Sequence, residues 1–302
     1  MSLVLPAFSI IIPTFDRPDR LSHCLQALAR LDYSRERFEI IVVDDGSPSP
    51  PIELIQSWKD RLPLKLIVQN HGGPALARNT GAAAAGYPFL AFTDDDCAPE
   101  ADWLSAFAIQ LSNTPDRAIG GQIINALTQN PFSTASQDLV TYLYSHFNAD
   151  PQQARFFTSN NLVVPADRFQ QVGGFDQSFP LAAGEDRDFC DRWLSTGYGL
   201  TYAPDALVYH AHALSLRTFW QQHFNYGRGA FHFHRLRSSR RSDKTPHGGI
   251  SFYINLAVRP FMWAQLKRPQ GWAVAGLTLL AQLATAFGLL HEQMATARPV
   301  ST

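Results

Sequence analysis

The sequence predicts an α/β fold, a mostly parallel sheet flanked by helices, followed by a helical, apolar C-terminal extension. Three observations carry this. Strand and helix signals alternate through residues 1–100, two acidic clusters directly follow buried-strand patterns, and the chain beyond Ser251 turns into a long apolar run.

Phe8-Ser9-Ile10-Ile11-Ile12-Pro13 is a short apolar run halted by a proline, the pattern of a buried strand with a loop after it. Between Asp19 and Leu31, Leu21, Leu25, Leu28 and Leu31 recur at helical spacing. A second buried strand, Phe38 to Val43, ends in the turn Asp44-Asp45-Gly46-Ser47, where Gly46 permits a positive φ and Ser47 can cap a helix. Ile52 to Trp58 reads as helix and Leu64 to Val68 as a third strand. Gly73 to Ala85, Ala-rich after Gly-Gly-Pro, reads as helix, and Pro88 to Thr93 as a fourth strand. Asp94-Asp95-Asp96 stands at its C-terminal end. Ligands of such sheets bind beyond the carboxyl ends of strands, where both acidic clusters fall.

Residues 101–213 are more mixed: a loop at Val172-Gly173-Gly174-Phe175-Asp176, a helix from Glu185 to Thr196, and a strand pair, Gly199 to Ala203 and Ala206 to Tyr209. Phe219 to His234 is aromatic and His-rich, and Arg235 to Lys244 is basic. Pro269 to Leu290 contains no charge and follows Lys267 and Arg268. Its length is near the roughly 20 residues that cross a bilayer. Thr278, Gln282 and Thr285 weaken insertion, so a core helix and a membrane-associated one both fit.

Composition narrows the class. Hydrophobic residues at 45% against 17% charged support a sizeable core, and a net charge of −1 leaves no global field to attract nucleic acid. Cys24, Cys97 and Cys190 are widely spaced, as expected of free thiols in a reducing compartment. The apolar start has no basic region or cleavage site and reads as a first strand, so the folded part is expected to stay in the cytoplasm.

Three adjacent carboxylates repel one another and call for a compensating cation; hard oxygen ligands suit Mg²⁺ or Mn²⁺ shared with phosphates. Alone, the triplet is equally a solvated turn capping the helix of Trp103 and Leu104. Asp44 and Asp45 offer carboxylates to a ribose or a base NH. Asn70 to Asn79 opens a helix with glycines that admit close backbone approach, and Arg78 can reach a phosphate or base. It is not a P-loop. Glu185 and Asp186 open another helix, where a carboxylate stays charged and can serve as a base, while Asp188 faces elsewhere and balances Arg187 or Arg192. His210, at a strand end, is a candidate metal ligand. The remaining histidines match no zinc-binding spacing.

Together these segments resemble the family-two glycosyltransferases of the GT-A fold over about residues 7–230. The matching pieces are Ser9 to Arg17, Val42 to Ser47, Gly73 to Asn79, Phe92 to Asp96, Gly173 to Asp176, Gly184 to Asp186 and Val208 to His210, in that order. The resemblance implies an inverting transfer from a nucleotide-sugar donor (UDP-, dTDP- or GDP-linked) to a hydroxyl on a glycan or lipid-linked saccharide. It implies donor contacts at Pro13, Thr14, Arg17, Asp44, Asp45, Arg78, Asp94, Asp95 and Asn161. Metal ligation falls to Asp94, Asp96 and His210, and catalysis to Asp186 with Glu185. The expected divisions are a catalytic domain at 1–230, with nucleotide-binding and acceptor halves meeting near residue 100, a basic linker at 231–250, and an apolar helical tail at 251–302. That tail and the linker would hold the enzyme at the inner face of the cell membrane. The Gln-x-x-Arg-Trp motif of processive synthases is absent, which argues against a polymer-extruding synthase. Two other functions stay open: a nucleotidyltransferase, disfavoured because Pro13-Thr14-Phe15-Asp16 replaces a Gly-rich basic loop, and a non-catalytic membrane-linked sugar-nucleotide-binding protein.

Overall fold

A computed structural model describes residues 5–179, 183–240 and 271–297. The first elements follow the predicted alternation: β1 (Phe8–Thr14), α1 (Pro18–Leu28), β2 (Phe38–Asp44), α2 (Ile52–Trp58), β3 (Leu64–Val68), α3 (Pro74–Ala83) and β4 (Phe89–Thr93). Then come β5 (Cys97–Pro99), α4 (Trp103–Asn113), β6 (Ala118–Asn125), α5 (Pro131–Phe147), β7 (Asn161–Pro165), α6 (Ala166–Val172), α7 (Glu185–Ser195), β8 (Leu200–His210), α8 (Leu216–Arg240) and a last helix, here α9 (Gly271–Ala297).

Eight strands form one mixed sheet in the order β3-β2-β1-β4-β7-β6-β8-β5. It is parallel from β3 to β4, and antiparallel where β7 meets β4 and β6 and where β5 meets β8. The inner parallel strands β1, β2 and β4 read as predominantly apolar runs because both faces are covered, whereas the edge strand β3 is only partly buried. On one face Phe8, Ile10 and Ile12 pack with Leu21, Leu25, Ile55 and Trp103. On the other, Ile41 and Val43 pack with Ala77 of α3. Each fully buried isoleucine contributes about 1.5–3 kcal/mol relative to exposure. The pairing of β1 with both β2 and β4 sets their C-terminal ends side by side, at Thr14, Asp44 and Thr93.

Two sequence expectations are corrected. The predicted strand pair at 199–209 is the single strand β8, with Pro204 and Asp205 exposed in its middle. The basic linker does not begin at residue 231, because α8 runs unbroken to Arg240. Residues 241–270, with the rest of that linker and the start of the tail, lie outside the described residues.

The chain divides into two compact units: residues 1–124, 147–180 and 186–211 form one, and residues 125–146, 181–185 and 212–302 the other. The described residues of the second are mainly helical. In it α8 and α9 run side by side in the same direction: Thr285 Oγ1 donates to His223 O at 3.2 Å, and Arg228 pairs with Glu292. Gly227 and Gly288 allow this approach, since a Cβ at either would strike the partner helix's backbone at Thr285 O or Phe224 O. Ala275, Ala281 and Ala284 of α9 are buried, whereas Trp272, Leu283, Phe287, Leu290 and Met294 form an exposed stripe at helical spacing.

Candidate active site

In the first unit each carboxylate of the acidic cluster meets a different arginine. Arg78 of α3 donates from Nη2 to Asp94 Oδ1 at 2.7 Å. Arg17, before α1, lies 3.5 Å from Asp95 Oδ1, and Arg20, in the first turn of α1, donates to Asp96 Oδ2 at 3.1 Å. The chain therefore supplies its own countercharge, which corrects the expectation that the triplet's repulsion requires an added cation. Asp95 also accepts from Thr14 Oγ1 at 2.8 Å, which ties the end of β1 to the cluster. Burial, then the charge of Asp96, pushes the Asp95 carboxyl up to about 6 against the pull of Arg17 and Thr14.

The other oxygen of Asp96 faces His210. The β5–β8 register sets Cys97 opposite His210, and Ala211 N donates to Asp96 O at 2.8 Å. Asp96 Oδ1 then lies 3.2 Å from His210 Nε2. Burial lowers the basicity of His210, but the hydrogen bond to Asp96 and the charges of Asp96 and Asp94 outweigh it and the net shift is upward. A sheltered carboxylate oxygen beside an imidazole nitrogen fits a divalent cation such as Mn²⁺. Of the three predicted ligands, Asp96 and His210 meet directly, while Asp94 Oδ1 is paired with Arg78.

The second acidic turn braces the loops around the cluster. Asp44 is fully buried and accepts from Ser47 N at 3.2 Å and from Ser47 Oγ. Asp45 Oδ1 accepts from Gln69 Nε2 at 2.7 Å and Gly72 N at 3.0 Å, and Oδ2 meets Gly73 N at 2.8 Å and His71 Nδ1 at 2.9 Å. These four contacts use the whole accepting capacity of that carboxylate. Gly46 sits at φ 83°, and a Cβ there would lie 2.7 Å from His71 N, so the turn requires glycine. Ser47 Oγ also accepts from Asp16 N at 2.7 Å, linking the loops after β1 and β2. Pro13 is half-buried at the end of β1, and Phe15 stacks on His71 at 4.6 Å between centroids.

Helix α7 opens on Glu185, which is buried, and Asp186, which is half-buried and accepts from Arg187 N at 2.7 Å. Asp188 is fully buried and accepts from Arg192 Nε at 2.7 Å. Arg192 donates onward to Val172 O and Gly174 O, at 2.8 and 2.6 Å. Asp188 thus fastens α7 to the glycine loop, in keeping with the sequence reading.

Residues 9–171 match the family described as "Glycosyl transferase family 2". The chain belongs to that family. Among curated proteins it is 29% identical to "Glycosyltransferase AglE" of Haloferax volcanii, over 70% of this chain and 68% of that one. It is 30% identical to "Pre-mycofactocin glycosyltransferase" of Mycobacterium tuberculosis and 28% identical to "Validoxylamine A glucosyltransferase" of Streptomyces hygroscopicus subsp. jinggangensis, in each case over 67% of this chain. It spans 44% and 54% of those two relatives' lengths. Among solved structures, the mannosyltransferase PcManGT from Pyrobaculum calidifontis, in complex with GDP-Man and Mn²⁺, aligns with a TM-score of 0.64 at 20% identity over 98% of this chain and 81% of that one. S. aureus TarS 1–349 in complex with UDP-GlcNAc aligns at 0.53 and 17% identity, over 96% and 91%. The sheet with its flanking helices is the GT-A fold of those structures.

Within this family-2 transferase, Asn161 departs from expectation. Its carboxamide accepts from Trp103 Nε1 at 2.8 Å and donates to Gln122 O and Ala206 O at 2.8 and 2.9 Å, at zero exposure. It braces the sheet, with both amide hydrogens engaged and no surface exposed to a ligand. Arg20 is the residue the sequence did not reveal. A lone arginine on an amphipathic helix carries no signal, and its partner becomes visible only once β1 and β4 are neighbours.

Proposed function

We propose that this transferase is an inverting, metal-dependent enzyme that moves a sugar from a UDP-, dTDP- or GDP-linked donor to a hydroxyl of a glycan or lipid-linked saccharide. The observation that carries the reading is the Asp96–His210 pair, 3.2 Å apart beyond β4 and braced by the loops that close around Thr14, Asp44 and Asp45. The neighbours bound to GDP-Man with Mn²⁺ and to UDP-GlcNAc support a nucleotide-sugar donor and a divalent ion.

A divalent cation held by Asp96 and His210 would supply charge neutralisation at the leaving diphosphate. Pro13, Thr14, Arg17 and Arg78 line the side where base, ribose and phosphates bind, and Asp45 exchanges one of its loop bonds for a base NH. Asp186, with Glu185 beside it, accepts the proton of the acceptor hydroxyl as that oxygen attacks the anomeric carbon. Positioning of the two substrates supplies most of the acceleration. Incubating the full chain with sugar nucleotides and Mn²⁺ should release nucleoside diphosphate. Release of pyrophosphate instead would mark nucleotidyl transfer, and no release with any donor would speak for a non-catalytic binding protein.

We place the enzyme on the cytoplasmic membrane surface. The uncharged, exposed stripe of α9 supports this, together with Arg235 and Arg240 near the end of α8. Among the described residues α9 is the one helix long and apolar enough to cross a membrane. The full chain should co-sediment with anionic vesicles and stay in solution without them; equal solubility in both would refute membrane contact.

A further inference from the structure

The arginine on Asp96 poses a problem for metal binding. Arg20 Nη1 lies 3.1 Å from Asp96 Oδ2 while His210 Nε2 lies 3.2 Å from Oδ1, so the proposed metal-binding carboxylate already carries a resident positive charge on one of its oxygens. A cation that joins Asp96 meets the positive guanidinium of Arg20 on the same carboxylate, a repulsion relieved when Arg20 moves away; His210 is itself a ligand. We propose that Arg20 is a resident countercation for Asp96, one that yields this carboxylate to the entering metal and takes the donor's diphosphate as its new partner. The inference rests on the reading of Asp96 and His210 as metal ligands.

Three features single out Arg20 among the arginines at the cluster. The Arg78 side chain is 5% exposed, sits over the Phe175 ring and is short of room to leave Asp94. Arg17 pairs with Asp95, which also bonds Thr14 and is not a metal ligand in this reading. Arg20 is 34% exposed, so its guanidinium can swing toward solvent at small cost, while its partner Asp96 is 5% exposed and stays fixed. Its backbone setting also favours exchange. Arg20 lies two residues after Pro18, in the first turn of α1, where the helix dipole disfavours a cation and attracts an anion. Asp96 satisfies that anion requirement in the free protein, and a diphosphate satisfies it in the complex. The swap leaves each positive group facing a negative one at both stages. It also makes metal and nucleotide binding mutually reinforcing, because each removes an obstacle to the other.

The test is Mn²⁺ binding to the full chain, followed by the loss of free-Mn²⁺ paramagnetic signal, with and without GDP or UDP. Arg20→Gln should bind Mn²⁺ alone about fivefold more tightly than wild type, the release expected from a partly exposed ion pair. Arg20→Lys, which keeps the charge, should stay near wild type. The nucleotide should tighten Mn²⁺ binding less in Arg20→Gln than in wild type. A merely structural role predicts weaker binding on substitution, so unchanged or weaker Mn²⁺ affinity in Arg20→Gln overturns the proposal, as does an equal nucleotide effect in both proteins. Asp96→Asn separates the two levels of failure. If it loses Mn²⁺ while Arg20→Gln binds like wild type, the metal site stands and the exchange falls; if Asp96→Asn binds Mn²⁺ as well as wild type, both fall.

Discussion

The acidic cluster and the α8–α9 pair solve the problem of buried polarity in opposite ways. Around Asp94, Asp95 and Asp96 every carboxylate meets an arginine, and Asp44, Asp45 and Asp188 are likewise bonded. In the helix pair, His223 is fully buried against Phe219 and Tyr226, and among the described residues neither ring nitrogen has a hydrogen-bond partner. The first region preserves charge for chemistry at the cost of many fixed contacts; the second is held by apolar and small-residue packing and leaves its one buried imidazole neutral.

Neighbouring acids on α7 sharpen the contrast most. Asp186→Asn should lower transfer about a thousandfold and spare nucleotide binding, because a general base contributes of that order. Transfer at the wild-type rate would remove Asp186 from the chemistry. Two residues on, Asp188→Ala should do the reverse. It strands Arg192, a loss of about 3 kcal/mol for a broken buried pair, seen as a lower melting point with turnover per folded molecule retained. If Asp188→Ala kills turnover in a fully folded protein, the division of labour on this helix is wrong.

The helix pair should respond to acid. Burial, then the charge of His212, lowers His223 to about 4. An unfolded histidine takes up its proton near pH 6.5, so between about pH 6.5 and about 4 the unfolded state binds more protons than the folded one. Stability should therefore fall as pH drops through that window, by up to about 3 kcal/mol, with no contribution from His223 above it. His223→Phe should flatten this part of the stability–pH curve. An unchanged curve would mean that His223 finds a partner in solution.

The two regions were also unequally legible in the sequence. Strands β1, β2 and β4 are legible because burial on both faces makes predominantly apolar runs, and the acidic turns because carboxylates after such runs are local signals. β8 was misread as two strands because Pro204-Asp205 imitates a turn although the ladder continues past it. The resemblance assigns Asn161 to the donor, and its bracing role is hidden from the sequence because its partners come from α4, β6 and β8, which lie far apart in the chain. Arg20 was invisible for the same reason. On α8, the change from aromatic to basic composition suggested a boundary, but a helix is indifferent to that change and continues to Arg240.

The most direct test of the account is the Mn²⁺ dependence of GDP and UDP binding, measured by calorimetry on wild type and Asp96→Ala. The account predicts that Mn²⁺ tightens nucleotide binding to wild type and has no such effect on Asp96→Ala. Equal nucleotide affinity with and without Mn²⁺ in the wild-type protein would contradict it.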